Sequence, residues 1–117
     1  MYQCIYWHAF FRVTRVEKVT KLLRKFDELC DTKTSLLSCE RYWKDESLFD
    51  VSFSSPLKKI DISDAVFTSL VVANKLANSW EIAGPYISNV KWEFHGLTTK
   101  TKVTGIEWVQ FRLGSES

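Results

Sequence analysis

The chain has 117 residues, a usual length for one domain, and we predict a single domain over residues 1–117. It is 45% hydrophobic and 15% aromatic, a composition that excludes an intrinsically disordered chain. Sixteen Lys and Arg against fourteen Asp and Glu leave a net charge of +2, without the strong basic excess of dedicated nucleic-acid binders.

The cysteines and the apolar segments predict a cytoplasmic protein. Cys4, Cys30 and Cys39 are an odd number without C-x-x-C spacing, which is typical of reduced thiols that pack as small hydrophobes. No apolar run approaches the roughly 20 residues that span a bilayer. The N-terminal segment, Met1 to Phe11, lacks the basic leader and the cleavage site of a signal peptide. We therefore expect a cytoplasmic location and no membrane partner.

A strand and a helix are the first predicted elements. Tyr2 to Val13 alternates with period two, which indicates a strand. Its odd positions are apolar, and its even positions carry Tyr6, His8, Phe10 and Arg12. Thr14 to Glu17 has the sequence of a capping box, so we expect a helix to begin there and to end near Asp31. One helix face is apolar and the other is basic, with Arg15, Lys18, Lys21, Arg24 and Lys25.

A β-hairpin follows. Leu36 to Trp43 and Leu48 to Ser54 flank the polar turn 44–47, which has the length of a four-residue hairpin loop. In the second strand Phe49, Val51 and Phe53 are expected to face inward, while Asp50, Ser52 and Ser54 face outward. Pro56 is expected to end this strand.

The second half predicts one helix and two strands. Asp61 and Asp64 open a helix that continues from Ala65 to Trp80 and is apolar around much of its circumference. Gly84-Pro85 is read as a terminator. Tyr86 to Leu97 then predicts a strand with Val90, Trp92 and Phe94 toward the core and Lys91, Glu93 and His95 on the other face. After a turn at Gly105, the last strand runs from Ile106 to Leu113.

These elements predict an α+β fold. The order matches the ferredoxin-like βαββαβ arrangement with an extra C-terminal antiparallel strand, and both helices lie on one face of the sheet. The opposite sheet face is then open, and its side chains become the candidates for function.

Catalysis is not predicted from this open face. Its histidines and carboxylates could support acid–base work on an RNA phosphodiester, but any mixed sheet face offers such groups. His8 and His95 lack the short ligand spacing of a metal site, and no glycine-rich phosphate loop is present. We therefore expect no catalytic residue, no metal and no cofactor.

The alternative is an RNA-binding domain or a small ribonuclease that uses the open sheet face. Exposed aromatic side chains on a sheet stack bases in RNA-recognition modules, and the residues in question here are Tyr6, His8, Phe10 and Arg12. The RNP motif of those modules is absent. The basic helix face could contact phosphates or simply be solvated.

The five tryptophans favour a protein partner. Trp is enriched at the energetic centres of protein interfaces. We expect Trp7 and Trp92 in the core, whereas Trp43, Trp80 and Trp108 lie near element ends or on less decided faces. A homo-oligomer packed through the open sheet face is a further hypothesis.

In size, α+β layout and aromatic content, the chain resembles the small bacterial immunity proteins that neutralise contact-dependent or other polymorphic toxins. The segment Cys39 to Ser47 is similar in character to that group. The resemblance implies a non-catalytic protein that binds a cognate toxin domain, often a nuclease, and blocks its active site. We expect the partner-binding residues around the central hairpin: Glu40, Tyr42, Trp43, Asp45, Glu46 and Asp50.

Overall fold

Two helices and six strands form in residues 2–58 and 61–114, which the computed structural model describes. The elements are β1 (Tyr2–Arg12), α1 (Val16–Cys30), β2 (Ser35–Arg41), β3 (Leu48–Lys58), α2 (Ile62–Leu76), β4 (Glu81–Ile87), β5 (Trp92–Thr98) and β6 (Ile106–Gly114). The predicted α+β class is confirmed.

All strands join one antiparallel sheet in the order β2-β3-β1-β6-β5-β4. The ferredoxin-like order was predicted, and it is wrong in the second half. That order would place the strand after α2 beside β1, but β6 occupies this position and β4 lies at the far edge. The reason is that the chain after α2 forms a three-stranded meander that returns toward β1, so its last strand, and not its first, completes the centre of the sheet.

One hydrophobic core lies between the sheet and the two helices. The odd-numbered residues of β1 and β3 are buried there as predicted, including Trp7, Phe11 and Phe53. The Phe26 ring of α1 makes T-shaped contacts with Trp7 and Phe53 of this layer, at centroid distances of 5.0 and 5.1 Å. Ala65, Ala73 and Leu76 of α2 join the same core, so both helices cover one sheet face.

The helix ends agree with the sequence in part. Asp61 is the N-cap of α2, and its carboxylate accepts a hydrogen bond from the backbone N–H of Asp64 at 2.7 Å. Asp31 ends α1 in the left-handed region, as the predicted boundary requires. The capping box was wrong, because Arg15 occupies the N-cap and no side chain caps α1. The extension of α2 to Trp80 was also wrong, since the helix ends at Leu76.

The strand boundaries differ where proline and a short turn were misread. Pro56 lies within β3, paired with Cys4 of β1, and it is tolerated there because β2 pairing ends at Ser54. Gly84-Pro85 does not end a segment but sits at a register shift inside β4. The predicted strand from Tyr86 to Leu97 is in fact parts of two strands.

The turn between β4 and β5 is held by Ser88. Its hydroxyl donates to the carbonyl of Lys91 at 3.0 Å, and the Ser88 N–H bonds the same carbonyl at 2.8 Å. Val90, expected in the core, is 87% exposed in this turn, and Lys91 lies before β5 instead of on the open sheet face.

Candidate partner-binding face

The sheet face opposite the helices carries the even-numbered side chains of β1, β3 and β6; we refer to it as the open sheet face. Cross-strand register sets its neighbours. In the centre, His8 of β1 lies between Ser52 of β3 and Gln110 of β6. Toward one end Phe10 lies between Asp50 and Trp108, and toward the other end Tyr6 lies between Ser54 and Arg112.

Four rings on this face form one aromatic cluster, comprising His8, Phe10, Tyr42 and Trp108. Phe10 is central, with its ring centroid 4.7 Å from Tyr42, 5.3 Å from Trp108 and 5.5 Å from His8. Trp108 and His8 meet edge to face at 5.2 Å. All four residues are partly exposed, so the cluster presents apolar area to solvent.

His8 is oriented by a carboxylate within the cluster. Its Nε2 lies 2.5 Å from Oδ1 of Asp50 on the neighbouring strand. This contact fixes the orientation of the imidazole ring. It also places the Asp50 carboxylate beside the aromatic cluster.

Arg12 connects three segments at the edge of the cluster. Its guanidinium makes a two-point contact with the carboxylate of Glu107 on β6, donates to Ser47 Oγ at 2.5 Å and lies 3.8 Å from Asp45. The hydrogen bond between Arg12 and Glu107 raises the pKa of the Arg12 guanidinium and lowers the pKa of the Glu107 carboxyl. The pKa of Asp45 is lowered mainly by hydrogen bonds from the side chain and backbone of Ser47. The positive charge of Arg12 is therefore already balanced by carboxylates within the protein.

The hairpin residues predicted for partner binding gather at this end of the open sheet face. Tyr42 and Asp50 belong to or border the aromatic cluster, and Glu40 lies opposite Asp50 in the β2–β3 register. Trp43 follows with its ring 6.3 Å from Tyr42, and it is 81% exposed. Asp45 and Glu46 lie in the turn itself, where Asp45 faces Arg12.

The two predicted residue sets thus form one surface. Tyr6, His8, Phe10 and Arg12 were assigned to an RNA face and the hairpin residues to a protein partner, but Phe10 and Arg12 contact the hairpin directly. The contacts of Arg12 argue against a role in RNA binding, because a guanidinium that is already paired has fewer N–H donors free for a phosphate.

Three residues of this surface were not among the predicted site residues, although Trp108 was named as a tryptophan on an undecided face. Trp108, Gln110 and Arg112 alternate with the buried Val109, Phe111 and Leu113 along β6, so period two alone assigns them to the open sheet face. Local periodicity does not show that β6 pairs with β1. This pairing brings the three residues against His8 and Tyr6.

A small pocket lies at the other end of the open sheet face. It has a volume of about 280 Å³, and its lining includes Tyr6, His8, Leu37, Ser52, Gln110 and Arg112. The Arg112 guanidinium carbon is 5.3 Å from the centroid of the Tyr6 ring, which is a cation–π contact. Arg112 is the charged side chain in the lining of this pocket, whereas several carboxylates gather toward the hairpin end.

The remaining polar chemistry of the described residues is limited. Cys4, Cys30 and Cys39 are free thiols, and burial raises the pKa of Cys30 to about 12 and also raises that of Cys39, which keeps both thiols protonated and unreactive. Within residues 2–58 and 61–114 no group of three or more His, Cys, Asp or Glu side chains could hold a metal ion. No helix of this part of the chain is long and apolar enough to cross a membrane.

Comparison with known proteins does not place the chain in a family: no protein-family model, no curated protein and no solved structure matches it.

Proposed function

We propose that this protein is a non-catalytic binding protein that neutralises a toxin domain by docking its open sheet face over the toxin's active site. The observation that carries the proposal is the partly exposed aromatic cluster of His8, Phe10, Tyr42 and Trp108 at the end of the face that also carries the hairpin carboxylates. Aromatic side chains in the centre of a patch with a polar rim are the usual composition of a protein interface.

Charge at the hairpin end supports a basic partner. Glu40 and Glu46 are exposed, and no Lys, Arg or His of the described residues lies within ion-pair distance of them. Arg12, the cation at the centre of this end, is neutralised by Glu107 and Asp45. Free carboxylates beside exposed rings fit a cationic surface, such as the substrate cleft of a nuclease, and would steer its approach.

Part of the basic excess lies away from the open sheet face, although Arg41 and Lys44 accompany the carboxylates of the hairpin. The basic side chains of α1, such as Lys21 and Arg24, lie on the helix layer, across the sheet from the aromatic cluster. A basic partner can therefore approach the open sheet face without meeting them directly.

The test has two parts. The tagged protein is purified from its own cells at moderate salt, and each protein that accompanies it in stoichiometric amount is identified and expressed separately. We expect one such partner to be a toxin domain whose activity is lost on adding one equivalent of this protein. Co-purification of RNA that dissociates at high salt, without a protein partner, would instead support the RNA-binding alternative.

Sedimentation of the isolated protein examines the homo-oligomer hypothesis. A monomer leaves the open sheet face free for a partner. A dimer that dissociates on adding the toxin domain would show that self-association and toxin binding use the same face. A dimer that persists while the toxin is fully inhibited would contradict the use of the open sheet face for docking.

A further inference from the structure

A set of polar groups without internal partners surrounds the small pocket at the Arg112 end of the open sheet face. Ser52, Gln110 and Arg112 point to it from β3 and β6, and among the described residues none of their side chains has a hydrogen bond or an ion pair. This contrasts with Arg12 on the same face, whose guanidinium contacts Glu107, Ser47 and Asp45. The side chains around the pocket are therefore available to a ligand, whereas the Arg12 guanidinium is occupied by contacts within the protein.

Arg112 is held in place without being neutralised. Its guanidinium lies over the Tyr6 ring at 5.3 Å, a contact that restricts its rotamers but leaves its N–H donors available. The cross-strand neighbours of Arg112 are Tyr6 on β1 and His95 on β5, and neither is a carboxylate. A preorganised and unpaired guanidinium is a strong site for an oxyanion.

The pocket lining supplies further donors. The Ser52 hydroxyl and the Gln110 amide line the pocket together with Arg112 and Tyr6, around a volume of about 280 Å³. Asp50 does not line the pocket, and its Oδ1 is engaged by His8 at 2.5 Å. Glu93 on β5 lines the wider groove next to Arg112 but not this pocket, and it makes no ion pair with Arg112. The described lining of the pocket therefore contains one guanidinium and no carboxylate.

We propose that this pocket binds a phosphate group. Its donors come from β3 and β6 and differ in type, with a hydroxyl, an amide and a guanidinium, which suits an anion with several acceptor oxygens. The wider groove beside it shares Tyr6, Gln110 and Arg112 and has a volume of about 640 Å³. Its other charged or titratable side chains are Lys91, Glu93 and His95. The phosphate can therefore be free or can belong to a mononucleotide whose remainder lies in this groove.

The test is a titration of the labelled protein, followed by two-dimensional amide NMR, with sodium phosphate against sodium chloride at constant ionic strength. We expect saturable shifts at Ser52 and Gln110 with a Kd on the order of 1 mM or lower. Arg112→Gln should weaken binding at least tenfold, and Arg112→Lys should weaken it less because it keeps the charge but loses the fork. Arg24→Gln on α1 is the matched control and should bind phosphate as the wild type does.

Several results would overturn the proposal. They are shifts that rise linearly and equal those caused by chloride, an unchanged affinity in Arg112→Gln, acetate binding as tightly as phosphate, or shifts centred on α1. A parallel titration with uridine 5′-monophosphate separates the sources: tighter binding with added shifts near His95 assigns the phosphate to a nucleotide, and equal affinity assigns it to the free ion. Trp43→Ala should leave phosphate binding unchanged, so failure of the toxin-binding proposal would not affect this result.

Discussion

Arg12 and Glu107 join β1 to β6 through a two-point ion pair, in which Nε donates to one carboxylate oxygen and Nη2 donates to the other at 3.0 Å. Because Arg12 also donates to Ser47 in the β2–β3 turn, the same side chain ties the hairpin to the centre of the sheet. The position of the hairpin residues relative to the aromatic cluster therefore depends on Arg12.

Replacing Arg12 should loosen the turn more than it destabilises the fold. In Arg12→Gln we expect faster amide hydrogen exchange at Ser47 and its turn neighbours, and only a small decrease in the melting temperature, because exposed ion pairs contribute little to global stability. Arg24→Gln, which removes an exposed arginine from α1, is the control. Equal exchange rates in wild type and Arg12→Gln would contradict the assigned anchor.

Acid should remove the contribution of these carboxylates. The pKa values of Asp45 and Glu107 are lowered in the folded protein, by hydrogen bonds from Ser47 and Arg12 respectively. In the unfolded chain the pKa values return to about 3.9 for Asp45 and about 4.3 for Glu107. At a pH between the folded and the unfolded pKa values, the unfolded state therefore binds more protons than the folded state. Their stabilisation is complete above about pH 5 and is lost as the pH falls through the folded pKa values.

Urea unfolding of wild type and Glu107→Gln from pH 7 to pH 3 measures this effect. The wild type should have the higher midpoint at pH 7, and the difference should shrink toward pH 3. A difference that stays constant over the whole range would mean that the Glu107 carboxylate does not titrate with a lowered pKa.

A buried hydrogen bond in the core is testable with an adjacent control. Trp7 Nε1 donates to Ser55 Oγ at 2.9 Å, and both residues are buried. Ser55→Ala leaves the indole N–H without a partner and should lower the free energy of unfolding by about 1–3 kcal/mol. Ser54→Ala changes the next residue, on the open sheet face, and should stay within about 0.5 kcal/mol of wild type. Equal unfolding midpoints for the two variants in urea would show that this bond does not stabilise the core.

Gly96 is required by packing between β4 and β6. A Cβ at this position would lie 2.5 Å from Phe111 Cε2 and 2.8 Å from Ile82 Cδ1, closer than real Cβ contacts allow. Gly96→Ala should therefore lower the free energy of unfolding by about 1–3 kcal/mol. Ile82→Val in the same chain should recover part of the loss by removing one of the two contacts. Unfolding in urea measures both variants, and wild-type stability of Gly96→Ala would exclude the steric constraint.

Local periodicity predicted the first half of the fold well. Alternation in β1 and β3 assigned Trp7 and Phe53 to the core and His8 and Asp50 to the open sheet face, because a half-buried strand has a strict period of two. It failed at Val90, since the apolar alternation toward Trp92 continues across the turn that Ser88 forms. A four-residue turn leaves little trace in such a pattern.

The candidate site was predictable residue by residue but not as an assembly. The hairpin and β1 contributions were identified, while Trp108 and Arg112 were not, because strand order depends on pairing between segments about 100 residues apart in the sequence. The paired state of Arg12 depends on the same long-range contact with Glu107.

The affinity of the purified toxin-domain partner for two single variants tests the central claim most directly. Trp108→Ala removes a ring of the aromatic cluster, and Phe67→Ala removes a 69% exposed ring from α2 on the other side of the sheet. We expect the first to raise Kd by about 30-fold or more and the second to leave it unchanged. Wild-type affinity in a folded Trp108→Ala protein, with binding lost in Phe67→Ala, would contradict the use of the open sheet face.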